Sequence, residues 1–165
     1  MLNHGTLLYF CGKMGAGKTT KSKVLAAERN AVLISEDEWL STLYPNQITS
    51  FDDYIKFSSQ LRPLIKGHVE NILRAGSNVV MDFPENTKKQ RDWFNKLSIK
   101  AESDVELIYL KANDKLCLHQ IAQRVIEQPS RSAFDTREMF DHVTRYFEEP
   151  TENEVPTMIV IERSM

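Results

Sequence analysis

Residues Leu7–Arg29 read LLYFCGKMGAGKTTKSKVLAAER. An apolar run, Leu7–Cys11, suits a strand buried on both faces. A helix-like run, Lys18–Arg29, follows, and the glycine-rich joint between them decides the fold. Gly12-Lys13-Met14-Gly15-Ala16-Gly17-Lys18-Thr19 satisfies G-x-x-x-x-G-K-[ST], a loop that holds phosphate. Each position has a physical reason. Glycines let successive backbone N–H groups turn inward without a Cβ clash, making a nest for anionic oxygens. The helix that opens at Lys18 adds the positive end of its dipole. Lys18 supplies a point charge for the β- and γ-phosphates, and the Thr19 hydroxyl can ligate magnesium. Thr20 falls one position past the motif and counts with the phosphate-binding loop rather than with the metal.

Working outward, four more strand-like runs alternate with helix-like segments. They are Ala31–Ser35 (AVLIS), Asn78–Asp82 (NVVMD), Val105–Leu110 (VELIYL) and Thr157–Ile161 (TMIVI). Phe51–Arg74 reads as a long helix, with Ser50 as N-cap, two aspartates in its first turn, and Gly76 at its stop. Thr87 and Gln90 form a capping-box pattern for a helix through Ala101. Asn113 caps a helix to Gln128, which Pro129 ends, and Thr136–Glu148 is the last helix, stopped by Pro150. Strands alternating with helices imply βαβ units and a parallel α/β sheet in one domain spanning 1–165. The polar, proline-interrupted segment Glu127–Asp135 (EQPSRSAFD) reads either as a solvated loop or as a lid.

Composition narrows the function classes. Of 165 residues, 21 are Lys or Arg and 23 Asp or Glu, for a net charge of −2. That balance gives no global signal for nucleic acid or an anionic membrane. No apolar run approaches the ~20 residues that cross a bilayer. The start MLNHGTLLYF lacks a basic region and a cleavage site, so a cytoplasmic location is expected. Cys11 and Cys117 read as free, buried thiols, and four scattered histidines offer no zinc cluster.

The loop alone does not name a reaction. GTPase base-reading and switch motifs are missing from NTKKQ, KANDK and DFPE, which leaves a compact phosphotransferase. Three features gather at the carboxyl ends of the strands, where open parallel sheets place their ligands. In ISEDEW, Asp37 is placed to take a proton from an acceptor hydroxyl, while Glu36 and Glu38 supply helix-start charge. Asp82, closing NVVMD, fits a carboxylate that holds magnesium through water. Arg124 and Arg131 flank the Glu127–Asp135 segment and could steady charge on a transferring phosphoryl group. Arg62 and Lys66, one turn apart on the long helix with His68 nearby, are read as facing water. Trp93 and Phe94 are read as core.

With CGKMGAGKTT, ISEDEWL, VVMDF, KKQRDWF, LIYLKA and YFEEP in hand, the chain resembles P-loop kinases of the AAA_33 type, relatives of zeta toxins, chloramphenicol phosphotransferase and polynucleotide kinase. The resemblance implies a five-stranded parallel sheet in order 2-3-1-4-5 with helices on both faces and a small helical lid. It implies Lys18 and Thr19 on phosphate and magnesium, Asp37 as base, Asp82 at the metal and Arg131 in the lid. Many relatives carry Asp-Ala or Ser-Asp-Ala after the lid arginine, whereas this chain has RSAFDTRE, so Arg124 and Arg131 both stand as candidates. The expectation is an ATP- and magnesium-dependent kinase acting on a small-molecule hydroxyl. Phosphorylation of a nucleic-acid 5′ end is a second reading, against which the balanced charge counts. A nucleotide-dependent switch is a third, and it has no need of a base such as Asp37.

Overall fold

The structure, a computed structural model, describes residues 3–165. In chain order it runs β1 (Thr6–Cys11), α1 (Lys18–Glu28), β2 (Ala31–Ser35), α2 (Glu36–Leu43), α3 (Phe51–Arg74) and β3 (Asn78–Asp82). Then come α4 (Lys88–Ala101), β4 (Asp104–Ala112), α5 (Asp114–Glu127), a 3-10 turn at Pro129–Ala133, α6 (Arg137–Thr144) and β5 (Thr157–Arg163). The strands form one parallel sheet in the order β2-β3-β1-β4-β5.

Side-chain alternation along β1 assigns the two faces. Leu7, Tyr9 and Cys11 point to one side, where Leu40 of α2, Leu61, Ile65 and Val69 of α3, and Phe94 and Leu97 of α4 cover them. Leu8 and Phe10 point to the other, under Ala26 of α1, Cys117 and Ile121 of α5, and Phe140 of α6. A strand at the centre of a sheet covered on both faces must be apolar throughout, which is why LLYFC shows no alternation in sequence. Phe94 stacks on Tyr9 with centroids 5.0 Å apart, and Trp93 packs at the edge of the same cluster. Cys11 and Cys117 are both free and buried on opposite faces, so they cannot pair.

The expected caps are in place. The Ser50 side chain accepts from Asp53 N, Thr87 and Gln90 close a reciprocal capping box, and Asn113 accepts from Leu116 N at 2.9 Å. Three boundaries differ from expectation by more than one residue. β4 and β5 run longer at their C-terminal ends because their ladder continues through Lys111–Glu162 to Ala112–Arg163. The last helix ends at Thr144 rather than Glu148: Tyr146 N and Phe147 N bond three residues back in tight turns, and Glu148 N is taken by Asn86 O at 2.7 Å. Among the described residues no helix is long and apolar enough to cross a membrane.

Candidate active site

The strand order builds the site. β2, β3 and β1 are neighbours, so their C-terminal ends bring Asp37, Asp82 and the glycine-rich loop side by side. On the other flank, α5 and the end of β5 approach the same loop. All of these border one cavity of about 1100 Å³.

The loop itself turns at Gly15 (φ 78°) and Gly17 (φ 98°), both in the left-handed region that favours glycine. At Gly15 a Cβ would also lie 2.5 Å from the carbonyl of Cys117 on α5. Lys18 Nζ donates to Gly12 O at 2.6 Å and Lys13 O at 3.1 Å, which fixes the ammonium at the centre of the loop. Burial lowers the Lys18 pKa from the usual lysine range, against the nearby charges of Glu85, Cys11 and Asp82. Met14 to Thr20 line the cavity. Gly12 is buried behind them, and the Lys13 side chain turns away to an ion pair with Asp114 at 2.7 Å.

Asp82 ends β3 in register with Ser35, whose hydroxyl lies 3.4 Å from Asp82 Oδ2. Burial raises the Asp82 pKa, Thr19 and Lys18 act in the opposite sense, and the Asp37 charge adds to the rise. Thr19, Asp82 and Ser35 therefore offer hard oxygen atoms beside the loop, a donor set that suits magnesium. Among the described residues no group of three or more His, Cys, Asp or Glu is arranged to hold a metal.

Asp37 is exposed on the first turn of α2 and borders the cavity. Its neighbour Glu36 turns the other way. Glu36 is fully buried and accepts hydrogen bonds from Tyr54 Oη, from Ser58 Oγ at 2.9 Å and from Arg62 Nε at 3.2 Å. The expectation that Arg62 faces water is thereby corrected: its guanidinium is held by Glu36 and lies 5.7 Å from the rings of both Phe83 and Trp93. Lys66 is half-buried and His68 exposed, and neither borders the cavity.

Arg124 and Arg131 meet on one acid. Arg131 Nε donates to Asp135 Oδ2 at 2.6 Å, and Arg124 Nη2 donates to Asp135 Oδ1 at 3.1 Å. Asp135 is buried and all three side chains border the cavity. Asp37 borders the same cavity as both arginines.

Several residues at the site were not anticipated. Arg163, at the end of β5, donates from Nη1 to Ala16 O at 2.6 Å, and its guanidinium occupies the space beside Gly17. The Gln120 amide, in the orientation that satisfies its neighbours, donates to Gly15 O at 2.6 Å. Arg91 is fully buried, bidentate to Glu154 at 2.7 and 3.0 Å, and donates to the carbonyl of Glu85. Glu85 is fully buried with neither carboxylate oxygen hydrogen-bonded. Burial pushes its carboxyl well above the usual range, against Lys18 and Arg62. The Cys11 thiol is likewise pushed up by burial, to about 12. The charged residues that flank the acids in sequence carry no local mark of these partners.

The fold and the loop define the class: a P-loop protein with a five-stranded parallel sheet. The profile of the AAA_33 family, an AAA domain, matches residues 7–150, and the chain belongs to that family. A candidate kinase from Chloroflexus aurantiacus has a similar fold, with a TM-score of 0.77 at 17% identity over 96% of this chain and 88% of that one. Chaetomium thermophilum Kti12, solved with ADP-AlF3, gives 0.68 at 16% identity over 94% and 88%. The Mycobacterium tuberculosis APS kinase CysC, solved with AMPPNP and APS, gives 0.65 at 16% over 98% and 91%. No curated protein matches the chain.

Proposed function

We propose that the protein is a kinase that transfers the γ-phosphate of ATP to a hydroxyl of a small molecule. The observation that carries this reading is the convergence of Lys18, Asp37, Asp82, Arg124 and Arg131 on one cavity beside the glycine-rich loop. Solved structures of similar fold with ADP-AlF3 or with AMPPNP and APS support a nucleotide in that loop.

In this reading the backbone N–H groups of residues 12 to 19 hold the phosphate tail, and Lys18 exchanges the Gly12 and Lys13 carbonyls for phosphate oxygens. Thr19 and Asp82 would hold magnesium, whose bound charge offsets that of the β- and γ-phosphates. Asp37 accepts the proton of the attacking hydroxyl. Arg124 and Arg131, positioned together by Asp135, stabilise charge on the equatorial oxygens and close the cavity against water. The segment 127–135 then serves as the lid.

The test is Asp37→Asn, which keeps shape and removes the base. Transfer from γ-labelled ATP should fall by a factor on the order of 10²–10⁴ while ATP affinity stays within about threefold. Undiminished transfer would remove Asp37 from the mechanism. A nucleotide switch would show the opposite pattern, with no acceptor-dependent turnover to lose.

A further inference from the structure

Beyond Asp37 the cavity continues between the start of α3 and the end of α6, and that half is lined unlike the phosphate end. Phe51, Tyr54 and Ile55 share one face of α3, at the i, i+3, i+4 spacing that stacks side chains along a helix. His142 and Tyr146 face them, one turn apart. The rings form a chain: Phe51 to His142 at 5.8 Å and 78°, His142 to Tyr146 at 5.6 Å and 67°, Phe51 to Tyr54 at 6.0 Å. Yet Phe51 is 41% exposed, Ile55 51% and Tyr146 62%, so a large apolar surface is left open beside the base.

Several polar groups around the cavity are already committed. The Tyr54 hydroxyl donates to Glu36, Arg62 is held by Glu36, and the two lid arginines are held by Asp135. Thr87 and Gln90 serve the cap of α4. Asn86 Oδ1, on the cavity-lining loop after β3, is buried and has no hydrogen-bond partner among the described residues. Lys21, one turn along α1 from Lys18, also lines the cavity. The exposed faces of Phe51, Ile55 and Tyr146 offer the many hydroxyls of a sugar no partner. They satisfy a flat apolar ring with a donor at one point on its edge.

Building on the kinase reading, we propose that the acceptor is an alcohol carried on a planar aromatic or heteroaromatic ring, seated on Phe51 and Tyr146 with Asn86 receiving one N–H or O–H from it. Nucleosides and aryl-methyl alcohols share this chemistry. The ring supplies the face that aromatic side chains recognise, and the hydroxyl reaches Asp37. Discrimination against sugars follows from the polar groups a sugar would leave unpaired.

The experiment measures binding and transfer separately on the full chain. With the loop filled by magnesium and AMPPNP, calorimetry compares thymidine, cytidine and benzyl alcohol with ribose and gluconate. The same compounds are then offered with γ-labelled ATP. We expect ring alcohols to bind and sugars not to, with nucleosides separated from benzyl alcohol by the Asn86 contact. Phe51→Ala and Tyr146→Ala, both at exposed positions where the fold is not at risk, should each weaken ring binding on the order of tenfold and leave AMPPNP affinity unchanged. Phe51→Trp should retain it. Binding of ribose or gluconate at least as tight as that of every ring compound, no binding of any ring compound, or unchanged ring affinity in both alanine variants would overturn the inference. Phosphorylation of a sugar with no ring preference would sink the ring site and keep the kinase. Ring binding that depends on Phe51 without labelled product from any compound would do the reverse.

Discussion

Asp135 offers the sharpest energetic test of the lid. Its side chain is 2% exposed and receives Arg131 at 2.6 Å and Arg124 at 3.1 Å, so Asp135→Ala removes two charge-assisted hydrogen bonds at once. Each such bond contributes about 1.5–3 kcal/mol when well shielded, or about 3–6 kcal/mol for the pair. The arginine side chains are 34% and 32% exposed, so water recovers part of the loss. After that discount about 2–3 kcal/mol of destabilisation remains. In a chain of this length that corresponds to a fall in Tm of about 5–10 °C. The two guanidinium groups, no longer bridged, repel each other and leave their positions over the cavity. If they act on the γ-phosphate, kcat should drop by a factor on the order of 10–10², with ATP affinity nearly unchanged. Thermal unfolding followed by circular dichroism gives the first number, and steady-state transfer gives the second. A Tm within about 1 °C of the parent would show that water, not Asp135, satisfies these arginines, and the lid would have no anchor.

Two further outcomes follow from buried charge near the loop. Arg163→Ala should weaken AMPPNP binding on the order of tenfold by freeing the Ala16 peptide, with Arg163→Lys recovering part of it; unchanged calorimetric affinity would refute the contact's role. Glu85 gives a pH dependence. Its carboxyl is raised in the folded state above the ordinary 4.5, so the folded chain holds the proton more tightly than the unfolded one. Stability from this group is therefore complete below about pH 4.5 and is lost as pH rises toward the raised value, at up to about 1.4 kcal/mol per pH unit. Glu85→Gln cannot lose a proton, so its Tm should overtake the parent's progressively above pH 4.5, and parallel Tm curves would show that Glu85 is not shielded from water.

What the sequence disclosed was whatever has a local cause. The phosphate loop is contiguous, its glycines are required by left-handed turns, and the strand before it is apolar because both faces are covered. Asp37 and Asp82 were visible because each follows an apolar run, and parallel strands all end on the same side. The sheet order came by way of resemblance to a family, since nothing in the spacing of five apolar runs chooses among the possible orders. The unforeseen residues have distant partners. Arg62 lies 26 residues from Glu36, Arg91 is 63 from Glu154, and Arg163 is 147 from Ala16. No window of sequence contains both members of such a pair. The last helix was overextended for the same reason, because Asn86 O, on another loop, takes the N–H of Glu148.

The acidic run after β2 shows how folding separates residues that look equivalent in sequence. Successive residues on a helix point about 100° apart, so Glu36 and Asp37 cannot share an environment. Glu36 goes inward and spends its oxygens on Tyr54, Ser58 and Arg62. Asp82 accepts from Ser35, and Asp135 from two arginines. Glu85 is buried away from the cavity lining. Asp37 is thus the uncommitted carboxylate on the β2–β3 side of the cavity, with Glu127 on the α5 side. A general base must have an oxygen free to accept a proton, and a carboxylate that already serves as a counter-ion loses structure when it does so. The assignment of Asp37 therefore rests less on its position in an acidic run than on its place at the cavity, where Asp82 and Asp135 already serve partners and Glu36 is turned away.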